Sequence, residues 1–122
     1  MTKIKNNKVY DLEDRTFLFA DRVIKLCKTI PENVIAVKLI SQLIRSSGSV
    51  GANYREANDA LSKKDFLLRI KISRKECKET TYWLTLIKNE TDHQEIDRLI
   101  EESKELRNIF TAILEKSKAG AV

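Results

Sequence analysis

The stretch from Ser41 to Leu61, SQLIRSSGSVGANYREANDAL, most limits what this chain can fold into. Ser46-Ser47-Gly48-Ser49 and Gly51 are turn-forming residues and, taken alone, suggest a loop. The spacing around them points the other way. Ala36, Ile40, Leu43, Ser47, Val50, Tyr54, Ala57 and Leu61 recur at alternating steps of four and three, straight through both glycines. A seam that keeps step on either side of a loop would be accidental, whereas one long helix accounts for it. Each glycine costs such a helix about 1 kcal/mol relative to alanine. Close approach of a neighbouring helix at the missing side chains is the expected compensation. Beside the seam runs a second line, Gln42, Ser46, Ser49, Asn53 and Glu56, in steps of four, three, four and three. This polar ladder is either a solvated face or a partly buried hydrogen-bonding rail that sets register between helices.

Taken in order, the chain opens with a polar, basic lead over residues 1–10, expected to be flexible. Asp11 is placed to cap a first helix, with Glu13 and Asp14 in its first turn, where the helix dipole favours anions. Phe17, Ala20, Ile24 and Cys27 form one apolar line on it, and Phe19, Val23, Leu26 and Ile30 another. Pro31 ends that pattern near Ile30 and suits the first turn of the second helix, predicted from about Glu32 to Leu61. Ser62, with Asp65 three residues on, opens a third helix whose seam is Phe66, Ile70, Ser73, Cys77, Thr80, Leu84 and Ile87. Leu68, Ile72, Tyr82, Trp83 and Leu86 lie on a different side of it. Either the bundle wraps far around this helix, or that second apolar side is an oligomer interface. After a break at Asn89 to His93, with Asp92 and Glu95 as a helix start, a fourth helix carries Ile96, Leu99, Ser103, Leu106, Phe110, Ile113 and Ser117. Four amphipathic helices of similar length with short breaks predict an all-α, antiparallel up-down-up-down four-helix bundle over residues 11–118, with a frayed tail at 119–122.

A chain of 122 residues is one domain with room for a core, and its single proline and three glycines favour helices over strands. Net charge is +5, which permits an anionic partner without requiring one. Cys27 and Cys77 form no C-x-x-C pair and sit on apolar stripes, so small buried hydrophobes in a reducing cytoplasm are expected, although a disulfide between them stays open. No stretch approaches a membrane span, and MTKIKNNK lacks the apolar core of a signal peptide.

The second and third helices resemble the four-helix-bundle proteins named for open reading frames in 23S rRNA intervening sequences. The residues that carry the likeness are Ser41-Gln42-Leu43, Ser49-Val50-x-x-Asn53-x-x-Glu56, Lys64-Asp65-Phe66 and Glu76-x-x-Glu79-Thr80-x-Tyr82-Trp83-Leu84. The likeness extends more loosely over the first and fourth helices. Ala57 departs from the glycine the family often has after the Glu. A relative in that family is the accessory variability determinant of diversity-generating retroelements, a basic pentameric bundle that binds nucleic acid and a reverse transcriptase. The resemblance therefore implies a bundle, assembly as a homopentamer, RNA or DNA as a partner, and a protein partner such as a reverse transcriptase. It implies no biochemical activity. The motif residues coincide with the polar ladder, which favours structural, partly buried roles for Asn53 and Glu56.

Charge is unevenly placed. From Ser62 to Lys88 there are eight basic residues against Asp65, Glu76 and Glu79, and from Asn89 onward eight acidic residues against five basic. Lys64, Lys71, Arg74, Lys75 and Lys78 fall within roughly one third of the helix circumference at ~100° per residue. They form either a solvated face paired with the acidic fourth helix or a phosphate-binding strip. Tyr82 and Trp83 are expected to pack between helices, which gives no indication of sequence-specific single-strand readout. Other motifs lead nowhere. Gly48-Ser49-Val50-Gly51 matches the G-x-x-G of KH domains, but that loop needs flanking strands. Glu90-Thr91-Asp92-His93 matches one half of a di-iron site that requires two such motifs, and His93 is the only histidine. No Gly-rich phosphate loop, cofactor motif or nucleophile-histidine arrangement is present. The sequence thus predicts a non-enzymatic oligomeric scaffold that binds structured RNA through the third helix. The alternative is a protein-interaction scaffold without a nucleic-acid role.

Overall fold

The computed structural model describes residues 11–120, so the expected basic lead at 1–10 and the last two tail residues lie outside the described residues. Four helices occupy that span: α1 (Leu12–Cys27), α2 (Val34–Asn58), α3 (Lys63–Glu90) and α4 (Gln94–Gly120). They form an antiparallel up-down-up-down bundle in which α3 packs along both α2 and α4, and α1 joins α2 to α4. The helices are not of similar length. α1 has 16 residues where the others have 25, 28 and 27, so it covers only part of the bundle.

Local sequence explains the boundaries. The Asn33 side chain accepts from the Ala36 N–H at 2.8 Å and opens α2. Pro31 therefore lies in the connection and not in the first turn of α2. α1 stops at Cys27, three residues before Ile30, in a turn where Thr29 N–H reaches Leu26 O at 2.9 Å. Ser62 Oγ accepts from Asp65 N–H at 3.1 Å and opens α3 as expected. At α4 the capping contact comes from His93, whose Nδ1 accepts from Glu95 N–H at 3.1 Å, and not from Asp92. Asp11 stands at the N-cap of α1 without a side-chain cap bond. The neighbouring Asp14 carboxyl pushes the Asp11 pKa up from the ordinary value.

α2 runs unbroken through both glycines, neither of which has a positive φ. Its seam buries Ala36, Leu43, Ser47, Val50 and Ala57. The helix ends at Asn58, so Leu61 leaves the seam and is 99% exposed. Phe19, Val23, Ile70, Leu84, Ile96, Leu99, Leu106 and Phe110 complete the centre. Hydroxyls lace it together: Ser73 donates to the Val50 carbonyl at 3.0 Å, Thr80 and Ser46 share a bond at 2.9 Å, and Thr81 and Ser103 share one at 2.6 Å.

The two glycines behave differently. A Cβ on Gly51 would stand 2.8 Å from Thr16 Oγ1 and 3.2 Å from Thr16 Cβ, so α1 uses the missing side chain to come close. A Cβ on Gly48 would meet nothing within 4 Å, because three residues turn it ~60° further toward solvent. The expectation that both glycines admit a neighbouring helix holds within this chain for Gly51 alone. Gly51→Ala should therefore destabilise the bundle by about 1–3 kcal/mol through overpacking. Within a single chain, Gly48→Ala should be neutral or stabilising by up to ~1 kcal/mol. Chemical denaturation of the two variants checks the opposite signs, and equal effects would contradict them.

Candidate nucleic-acid interface

The five cations singled out on the third helix lie together on the outward, α4-side shoulder of α3. Lys64, Lys71, Lys75 and Lys78 are exposed and Arg74 is half-buried. From Lys64 to Lys78 the strip is ~21 Å long at 1.5 Å per residue. Among the described residues, none of the five takes part in an ion pair. At its N-terminal end, Lys64 and Lys71 border an open hollow of about 460 Å³ with Ser62, Asp65, Leu67 and Leu68.

Five acidic side chains of α3 and α4 are engaged by arginines of α1 and α2. Arg15 of α1 holds Glu102 through two contacts of 2.7 and 2.9 Å and reaches Glu105 at 2.9 Å. Those carboxylates hold its guanidinium above the usual arginine pKa. Arg22 of α1 takes Glu95 at 2.9 Å. Two acids of α3 turn the opposite way: Arg45 of α2 pairs with Glu76 and Glu79. Of the α3 lysines, Lys88 pairs with Asp97 of α4 at 2.7 Å, but it lies beyond the strip. Among the described residues no ion pair joins the strip to the acidic fourth helix, one of the two alternatives left by the sequence; Glu95, Glu102 and Glu105 of α4 meet Arg15 and Arg22 of α1 instead.

The polar ladder divides. Ser46 is buried on Thr80, and Ser49 and Asn53 are half-buried. Asn53 Nδ2 donates to Ser49 at 3.0 Å while its Oδ1 accepts from Arg69 of α3 at 2.9 Å. Gln42 and Glu56 are exposed, so the expectation of a partly buried Glu56 fails: at this point, near the end of α2, it faces solvent. The rail is three residues long on α2; Ser46 and Asn53 find partners on α3, and Ser49 bonds Asn53 within α2.

The second apolar side of α3 also divides. Ile72, Trp83 and Leu86 are half-buried, and Trp83 packs on the core with Nε1 donating to Glu79 at 2.9 Å. The bundle does wrap this far. Leu68 and Tyr82 stay exposed, Tyr82 at 58%, so the expectation that Tyr82 packs between helices is corrected. Larger apolar exposure lies where the sequence did not point, at the α1–α2 junction, with Phe17 at 61%, Val37 at 51%, Ile44 at 41% and Ile24 at 40%. The two lines on α1 had signalled a wide apolar face. Nothing in the spacing showed that one line would stay uncovered.

A family model for the 23S rRNA-intervening sequence protein matches residues 5–112. The chain belongs to that family. A crystal structure from Bacteroides thetaiotaomicron VPI-5482, described as a protein with unknown function from the S23 ribosomal protein family, superposes with a TM-score of 0.74. It shares 31% identity over 84% of this chain and 96% of its own. A comparison with curated proteins gives no match.

Both cysteines of this family member are free thiols, which closes the disulfide left open by the sequence. Burial pushes Cys27 up to about 11 and Cys77 up to about 12, leaving almost no thiolate at neutral pH. The native protein should therefore resist Ellman's reagent at neutral pH and release both thiols on unfolding in guanidinium. Fast labelling of native Cys77 would contradict that burial.

Proposed function

We propose that this protein is a non-enzymatic, self-associating helical scaffold that binds structured RNA through the outward strip of α3. One observation carries the reading: Lys64, Lys71, Arg74, Lys75 and Lys78 share a shoulder and enter no ion pair among the described residues, while Glu95, Glu102 and Glu105 of α4 and Glu76 and Glu79 of α3 are held by arginines of α1 and α2. Cations without internal partners release counterions when they meet phosphates, and that release drives sequence-independent binding. The family description, which names 23S rRNA, and the neighbour's place in a ribosomal protein family agree with an RNA partner. Kinship with the accessory variability determinant, and a reverse transcriptase as protein partner, extend the same proposal.

Self-association rests on α2 and α1. Gly48 weakens the helix without admitting any neighbour among the described residues. At ~100° per residue it lies on the same outer side of α2 as Val37 and Ile44, beside Phe17 and Ile24 of α1. A second copy seated there would bury these side chains and use the bare backbone at Gly48. The resemblance makes five the number of copies, and a closed ring would repeat the lysine strip and raise avidity. The same apolar exposure favours the second reading, a protein-interaction scaffold without a nucleic-acid role.

Affinity for structured RNA should fall with salt at a log–log slope of about −3.5 to −4.5, as expected for five cations on phosphates. The triple variant Lys71→Glu, Lys75→Glu, Lys78→Glu should abolish most binding. A flat salt plot, or an unaffected triple variant, favours the interaction scaffold. In solution the wild-type mass should be a multiple of the 14.1 kDa chain, five-fold for the ring, and Ile44→Glu should lower it. A monomeric wild type would remove the ring and its avidity.

A further inference from the structure

We infer that Tyr82 is a base-stacking platform at the end of the lysine strip, so that the face takes an unpaired nucleotide of a single-stranded nucleic acid together with its flanking phosphates. This deepens the proposed RNA-binding reading and rests on it. At ~100° per residue Tyr82 falls on the same outward line as Lys64, Lys71, Lys75 and Lys78. It follows Lys78 by one turn, ~6 Å along the axis. The residue is more than half exposed where burial in the bundle would ordinarily take an aromatic of this size.

The ring is also held. Tyr82 meets Trp83 edge-on, with centroids 5.1 Å apart and planes at 71°. Trp83 is fixed in turn by its Nε1–H on Glu79 and by packing on the core. Glu79 is itself clamped by Arg45 of α2. An exposed aromatic backed by three linked side chains loses little freedom when a base lies on its open side, which is what a stacking platform needs. Lysines alone read only the backbone; a ring in line with them gives unpaired bases an advantage over a closed duplex.

The test compares a short oligouridylate with a blunt RNA duplex of the same length, using wild type, Tyr82→Ala and Tyr82→Phe. Trp83 is the only tryptophan and touches Tyr82, so its emission reports on occupancy of the platform. Oligouridylate should quench Trp83, and Tyr82→Ala should weaken oligouridylate binding by roughly 5- to 100-fold. Duplex affinity and thermal stability should not change, and Tyr82→Phe should bind as wild type does. Equal losses on oligouridylate and duplex, or no loss on either, would overturn the platform while leaving the strip intact. A lower mass for Tyr82→Ala would make the residue a subunit contact and likewise overturn it. If the wild type binds neither RNA, the RNA-binding reading and the platform fail together.

Discussion

Thr16 of α1 rests against the bare backbone of Gly51, and this close approach sets where α1 lies on α2. Polar contacts keep the same register further along: Glu13 of α1 accepts from Asn58 at 2.9 Å and pairs with Arg55 at 3.5 Å. Once α1 is seated there, Arg15 and Arg22 are carried to the opposite edge of the helix and meet the acidic side of α4. The charge map of the surface follows from that seating. A helix placed one turn differently would leave Glu102, whose side chain is 17% exposed, without its cation. An uncompensated, largely buried charge is far more costly than a lost surface pair. The small residue in α2 therefore decides which charges are consumed inside the bundle and which remain outside.

The hydroxyls between α2, α3 and α4 act on specificity more than on total stability. A buried hydrogen bond contributes about 0.5–1.5 kcal/mol net, and an orphaned buried group costs about 1–3 kcal/mol. Thr80, Thr81 and Ser103 each also reach a carbonyl of their own helix, so losing the neighbour would not orphan them. Ser73 is different, since its one hydrogen bond crosses to the Val50 carbonyl of α2. It is the position where a slip of α3 along α2 would leave a hydroxyl stranded. Among the described residues no buried side-chain nitrogen or oxygen lacks a partner. Ser46, Ser73, Thr80 and Ser103 are thus taken up in holding helices together, while Thr16 and Ser47 bond carbonyls of their own helices.

How much of this was legible in the sequence depends on the range of the interaction. The unbroken α2, the Ser62 cap and the buried seams of α3 and α4 follow from spacing and capping, which are local. The strip on α3 was also visible, because residues on one helix share a face by arithmetic alone. What was not visible was pairing across helices. The eight acids after Asn89 suggested a partner for the strip, yet the rotation of α4 about its own axis gives Glu95, Glu102 and Glu105 to α1. Gly48 and Gly51 look equivalent in the chain and differ in space, because three residues rotate one of them out of the α1 contact. Trp83 and Tyr82 are neighbours in sequence, and ~100° of rotation puts one against the core and the other in solvent.

The bundle also divides its cations by kind. Among the described residues, cross-helix contacts to acidic or amide groups use arginine at positions 15, 22, 45, 55 and 69, with Lys88 the one lysine in an ion pair between helices. Arginine's planar fork suits such fixed contacts, as the two-point grip of Arg15 on Glu102 shows. Four of the five strip residues are lysines, compact and strongly hydrated charges on flexible stems. Such charges follow a phosphate backbone without demanding one geometry, and they carry no base discrimination. A strip of that composition is suited to hold a nucleic acid and not to choose among sequences. Any preference has to come from a rigid group set beside it. On this face of α3, the side chain both exposed and braced from behind is Tyr82.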